Sequence, residues 1–265
     1  MKTLGLIGGM SWESTTLYYQ LLNRLARDAL GGQHSAKLVL WSVDFAPIAA
    51  LQSAGLWDEA TAIMIDAAKR LEGAGAEALV ICANTMHRMA DDVASAVSIP
   101  LVHVADATAR AIVAAGVKRP LLLATRYTME QGFYRERLRR GGVEAVIPAE
   151  PDRERLHAII FDELVLGRFK LASREAMVAM VESAARGDRV DGVILGCSGW
   201  MIPGWRSFST PYRGTTSSGR RLISIGFWKG WKGPKGSIFV PNRIGTSFSS
   251  QKWMSSPSIP LIVEP

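Results

Sequence analysis

The chain holds two cysteines, and each closes a short apolar run: Ala78-Leu79-Val80-Ile81-Cys82 and Gly192-Val193-Ile194-Leu195-Gly196-Cys197. A small polar side chain follows each within two residues, Asn84 after the first and Ser198 after the second. Two cysteines are too few for a disulfide scaffold in a chain of 265 residues. A single cysteine in a strand is commonly a small buried hydrophobe. Two in the same setting, 115 residues apart, point instead to a pair of reactive thiols. After Cys82 the sequence Asn84-Thr85 leads into an expected helix start, whose positive dipole end would favour thiolate.

Two opposed thiols suit one reaction class: removal of a proton from carbon on one face and its return on the other. That inverts a stereocentre with no cofactor. The Cα–H of an amino acid is a very weak acid, so donors around the α-carboxylate must carry the growing negative charge. Asn84, Thr85 and backbone amides beside them are suitable donors. One sulfur must be thiolate while the other is thiol, so the pair titrates as a unit.

A second candidate is the loop Gly8-Gly9-Met10-Ser11, where glycine lets backbone approach an anionic ligand. It is neither the dinucleotide G-x-G-x-x-G nor the phosphate-binding G-x-x-x-x-G-K, and a plain strand-to-helix turn is the alternative. His87 reads as a ligand donor or as a structural residue on a first helical turn. Asp44 would hold a ribose only in a dinucleotide fold, whose glycine fingerprint is missing. Arg135, Arg137, Arg139 and Arg140 read as a solvated helix face. The four histidines pair with neither cysteine at zinc-ligand spacing, so no metal site is expected.

The elements that would position these groups follow an α/β pattern. Strands are expected at Thr3–Ile7, Lys37–Val43, Ala78–Cys82, Leu101–Val104, Pro120–Ala124, Glu144–Ile147 and Gly192–Cys197. Helices are expected near Ser14–Ala29, Asp58–Glu72, Met86–Ala96, Ala107–Ala115, Met129–Arg140, Arg153–Leu166 and Ser173–Ala185. The third-to-fourth spacing of Ala60, Ile63, Met64, Ala67, Ala68 and Leu71 is helical, and the nearly all-apolar strands suit parallel sheets covered on both faces. The echo between ALVICANT and GVILGCSG suggests two similar lobes, residues 1–98 and 99–198, each a mainly parallel sheet flanked by helices.

Residues 199–265 break from this pattern. They contain no alanine, aspartate or cysteine, yet hold five of the eight tryptophans and seven of the twelve prolines. The composition predicts an irregular, poorly ordered tail. The tail also carries the chain's positive charge, nine Lys or Arg against one acid, whereas residues 1–198 carry 22 against 23. The body therefore offers no electrostatic case for nucleic acid. No stretch is long and apolar enough for a membrane span, and the N-terminus reads as a first strand rather than a signal peptide. The expected compartment is the cytoplasm.

Across residues 1–198 the blocks LGLIGGMSWEST, HSAKLVLWSVDF, ICANTMH, HVADAT, TRYTMEQGFY, IIFDEL and VILGCS occur in order. In these blocks the chain resembles the aspartate/glutamate racemases, with its closest similarity to their broad-specificity bacterial branch. The resemblance implies a two-lobed pseudosymmetric α/β fold, a homodimer, a small amino-acid substrate and no pyridoxal phosphate or other cofactor. It places Cys82 and Cys197 on the two catalytic cysteines. It places Met10, Ser11, Gln52, Asn84, Thr85 and Thr125 in the substrate pocket, together with Ser198, which stands where the family has threonine beside its second cysteine.

Two departures bear on function. Gly199 stands where the family has glutamate, and the family's closing Pro-x-Phe-Asp-Thr strand and final helix are not found in residues 199–265. The tail thus looks like a replaced terminus, and the alternative to an active racemase is an inactive remnant that binds amino acids. Aspartate and glutamate are the acidic choices of substrate. The block Asp44–Gln52 lacks the arginine that acidic-substrate members often carry there, which favours a broader polar range.

Overall fold

A computed structural model describes residues 1–168, 170–187, 190–197, 223–226 and 239–241. Alternation of apolar strands and amphipathic helices produces a mixed α/β fold with parallel sheets flanked by helices. The chain divides into two compact units, the first formed by Met1–Val104 and the second beginning at Ala105.

In the first unit β1 (Leu4–Gly8), β2 (Leu38–Ser42), β3 (Ala78–Ile81) and β4 (Leu101–Val102) pair in the order β2-β1-β3-β4, all parallel. β1 and β3 are buried along their whole length, which explains their unbroken apolar character. Helix α1 (Trp12–Leu30) and helix α3 (Trp57–Gly73) cover opposite faces of this sheet. Two glycines of β1 show it. A Cβ on Gly5 would lie 3.1 Å from Leu71 of α3, and one on Gly8 would lie 2.4 Å from Thr15 of α1. Residues three apart on a strand face opposite sides, so glycine at both positions lets a helix press close on each. Ala60, Met64, Ala67, Ala68 and Leu71 of α3 form one core with Ile7, Leu79 and Ile81.

Helix α2 (Phe45–Ala54) lies outside the helices expected from periodicity. Its first turn, Phe45-Ala46-Pro47, tolerates proline because those N–H groups have no intrahelical partner. Asp44 caps it, its carboxylate accepting from the Ala46 N–H at 3.2 Å, so this side chain has a structural task in place of a ribose. The helix expected at Met86–Ala96 is a 3-10 turn, Thr85–Met89, followed by the short α4 (Ala90–Ser95).

In the second unit β5 (Pro120–Leu123), β6 (Gly192–Leu195), β7 (Ile223–Gly226) and β8 (Phe239–Pro241) run parallel in the order β5-β6-β7-β8. Of the expected tail 199–265, these last two strands are described and the rest lies outside the described residues. The strand expected at Glu144–Ile147 is a single bridge, Leu121 to Val146. Five helices belong to this half of the sequence among the described residues: α5 (Val104–Ala114), α6 (Arg126–Glu130), α7 (Phe133–Arg140), α8 (Glu150–Ile159) and α9 (Leu171–Gly187). A π-helical turn, Ile160–Leu164, extends α8 and buries Glu163, whose carboxylate accepts from the Ser173 hydroxyl and pairs with Lys170 at 3.1 Å. No helix among the described residues is long and apolar enough to cross a membrane.

Candidate active site

The first loop is built by a threonine that the sequence alone did not single out. Thr15 Oγ1 accepts from the Gly9 N–H at 2.8 Å and donates to the Ser11 carbonyl at 3.1 Å, tying both ends of the Gly8–Ser11 turn to α1. A hydroxyl in the first helical turn after a Gly-Gly strand end was the available signal. Gly9 has φ +95°, and a Cβ there would lie 2.2 Å from the Val43 carbonyl oxygen, so only glycine fits. Met10 and Ser11 are buried, and Ser11 Oγ lies 3.3 Å from Ser14 Oγ.

Cys82 follows β3 directly. Its N–H donates to the Ile7 carbonyl at 2.9 Å, which carries the β1–β3 pairing one step past Ile7 and Ile81 and sets the cysteine beside the end of β1. The residue is 0% exposed. Burial pushes its thiol well above the ordinary range, because the thiolate would lose its water there. This differs from the thiolate expected of a helix start. The following turn is a five-residue 3-10 segment, and desolvation prevails. Asn84 is half-buried and Thr85 is buried at the head of that turn.

His87 sits in the same turn with both ring nitrogens engaged by backbone. Nδ1 lies 2.9 Å from the Ala83 carbonyl, and Nε2 accepts from the Val104 N–H at 3.2 Å. It reads as structural in this arrangement.

Gln52 lies on α2, one turn beyond Ile48, which shares a core cluster with Met10, Ala83 and Met86. The side chain is 3% exposed, and its Oε1 is buried without a hydrogen-bond partner among the described residues. Such an acceptor costs about 1–3 kcal/mol in a fold unless a ligand satisfies it.

In the second unit Leu123 and Leu195 are register partners at the ends of β5 and β6, and the Gly196 N–H donates to the Leu123 carbonyl at 2.8 Å. Thr125 and Cys197 each stand two residues beyond those partners. Thr125 caps α6, its Oγ1 accepting from the Thr128 N–H at 3.3 Å. Cys197 is only half-buried. Ser198 lies outside the described residues. Among the described residues no group of three His, Cys, Asp or Glu converges as a metal ion would require.

Met10, Ser11, Cys82, Asn84 and Thr85 thus gather at the carboxyl ends of the adjacent strands β1 and β3, with Gln52 on a helix packed into the same core. Thr125 and Cys197 gather at the matching ends of β5 and β6. Carboxyl ends of parallel strands are where open α/β sheets present backbone and side chains to ligands.

Known proteins share this architecture. An Asp/Glu racemase candidate from Yersinia pestis is 48% identical, with a TM-score of 0.69 over 76% of this chain and 88% of that one. An aspartate racemase homologue from Pyrococcus horikoshii is 37% identical, with a TM-score of 0.65 over 76% and 88%. The aspartate racemase of Picrophilus torridus, 23% identical with a TM-score of 0.65 over 80% and 87%, shares the fold. The Asp/Glu/hydantoin racemase family model matches residues 7–204, a span that takes in both cysteine-bearing strands, and the chain belongs to that family.

Proposed function

We propose that this protein racemises a free amino acid by two-base proton transfer between Cys82 and Cys197, without pyridoxal phosphate. The observation that carries the reading is the matched placement of the two cysteines. Each stands within two residues of the end of a parallel strand, beside the end of a neighbouring strand that carries another candidate group. Membership of a racemase family supports the reaction class.

The chemistry requires unlike protonation states at any moment. Burial raises the Cys82 thiol, so Cys82 starts as the acid, and half-buried Cys197 takes the part of the base. In one direction Cys197 removes the Cα proton as Cys82 delivers its own to the opposite face; the reverse direction exchanges these roles. Each turnover leaves the pair with one proton, now on the other sulfur. Asn84, Thr85, Ser11 and adjacent amides hold the α-carboxylate, where negative charge grows in the transition state. The orphaned Gln52 carbonyl accepts from the α-ammonium group or a polar side chain. With no Lys or Arg in Asp44–Gln52, the substrate set is polar and broad, aspartate and glutamate included. The working form is a cytoplasmic homodimer.

Incubation of each enantiomer of aspartate, glutamate and homoserine, followed by chiral chromatography, tests the reading. It predicts inversion of at least one pair. Tighter melting on addition of amino acid with no inversion of any pair would instead identify a binding remnant.

A further inference from the structure

His87 joins two backbone segments that are far apart in sequence. Val104 N–H can only donate, so Nε2 must be the acceptor. The proton therefore resides on Nδ1, which donates to the Ala83 carbonyl at 2.9 Å. The ring thus bridges Ala83, next to Cys82, and Val104, the first residue of α5 and 17 positions beyond His87. It is 3% exposed, and His103, itself buried, packs edge-on against it with ring centroids 4.6 Å apart. Met86 and Met89, both buried, fix the turn on either side. A 3-10 turn of five residues has little hold of its own on the chain before it. The imidazole supplies that hold from outside the turn.

We propose that His87 is a positioning residue for Cys82: as the Nδ1–H tautomer it clamps the Ala83 carbonyl to the start of α5 and so fixes where the buried thiol points. The consequence for turnover rests on the racemase reading; the consequence for the thiol itself does not. Misplacing a reacting group by about 1 Å costs on the order of 100-fold in rate. Loss of the clamp therefore leaves a folded protein with a misaimed and less protected sulfur.

The test uses the full chain with Cys197→Ser, in which Cys82 is the sole thiol. Alkylation of Cys82 by iodoacetamide is expected to quicken by roughly tenfold or more on His87→Ala. In the chain with both cysteines, kcat for Cα deuterium exchange is expected to fall by at least about tenfold. His87→Asn keeps a donor near the Nδ1 position and His87→Gln an acceptor near the Nε2 position, so each keeps one end of the clamp and neither is expected to recover kcat or thiol protection. If the Ala variant does not fold, these two variants decide the matter. Alkylation and kcat within about twofold of the parent in any folded His87→Ala, His87→Asn or His87→Gln protein would overturn the proposal. Absence of exchange in the parent refutes the racemase reading alone, and the alkylation rates then decide the role of His87 by themselves.

Discussion

The two cysteine-bearing strand ends share a backbone plan and differ in environment. β3 and β6 each lie between two neighbouring strands, yet Cys82 after β3 is fully enclosed and Cys197 after β6 is half-buried. The same parallel register places each beside a candidate partner, the Gly8–Ser11 loop in one case and Thr125 in the other. Backbone geometry sets position, and burial sets proton affinity. At any moment a two-base racemase needs one sulfur protonated and the other not, and each turnover exchanges them.

The largest expected effect breaks the pair. Cys82→Ser and Cys197→Ser should each lower inversion by roughly 10²–10⁴-fold, the usual worth of a positioned acid or base, as measured by chiral chromatography. Wild-type inversion rates in either variant would separate the strand ends from the chemistry. Next comes the loop beside Cys82. Gly9→Ala forces a side chain into a left-handed conformation and against the Val43 carbonyl, and should cost about 2–4 kcal/mol by urea titration.

A third prediction sharpens the inequality. The folded-state pKa of Cys82 lies above its ordinary value of 9.0, so above that pH the unfolded chain releases a proton that the folded chain keeps. Stability should therefore fall as pH rises beyond about 9, by roughly 1.4 kcal/mol per pH unit from this group. Cys82→Ala should flatten the slope. Denaturation midpoints between about pH 8 and pH 10.5 would show it. The smallest effect concerns Gln52. Its unsatisfied carbonyl makes Gln52→Met neutral or stabilising by up to about 1 kcal/mol, while KM rises several-fold. Lower stability with unchanged KM would remove Gln52 from the substrate's neighbourhood.

The sequence made the sheet visible because buried parallel strands are written as unbroken apolar runs. β1, β3 and β5 fall within a residue of their expected limits. Helix α2 was hidden because Phe45-Ala46-Pro47-Ile48-Ala49-Ala50-Leu51 is apolar all round and has no 3.6-residue period to read. The single helix expected at Met129–Arg140 is broken at Gln131-Gly132, where the turn chemistry of glycine outweighs the surrounding helix formers. At the site, types and order of residues were legible, but partners were not. Nothing local announces that His87 bonds to Val104, or that Gln52 buries an acceptor with no partner among the described residues. Those contacts depend on long-range packing. The same limit governs Cys82: a local rule promised a thiolate, and complete burial reverses it.

Proton handling by two different sulfurs leaves its mark on deuterium at Cα, followed early in the reaction, in D2O, from each enantiomer separately. Such a mechanism puts deuterium in the product enantiomer while the remaining substrate stays protiated, in both directions. Equal early labelling of substrate and product, or inversion that carries the original proton across, would contradict it.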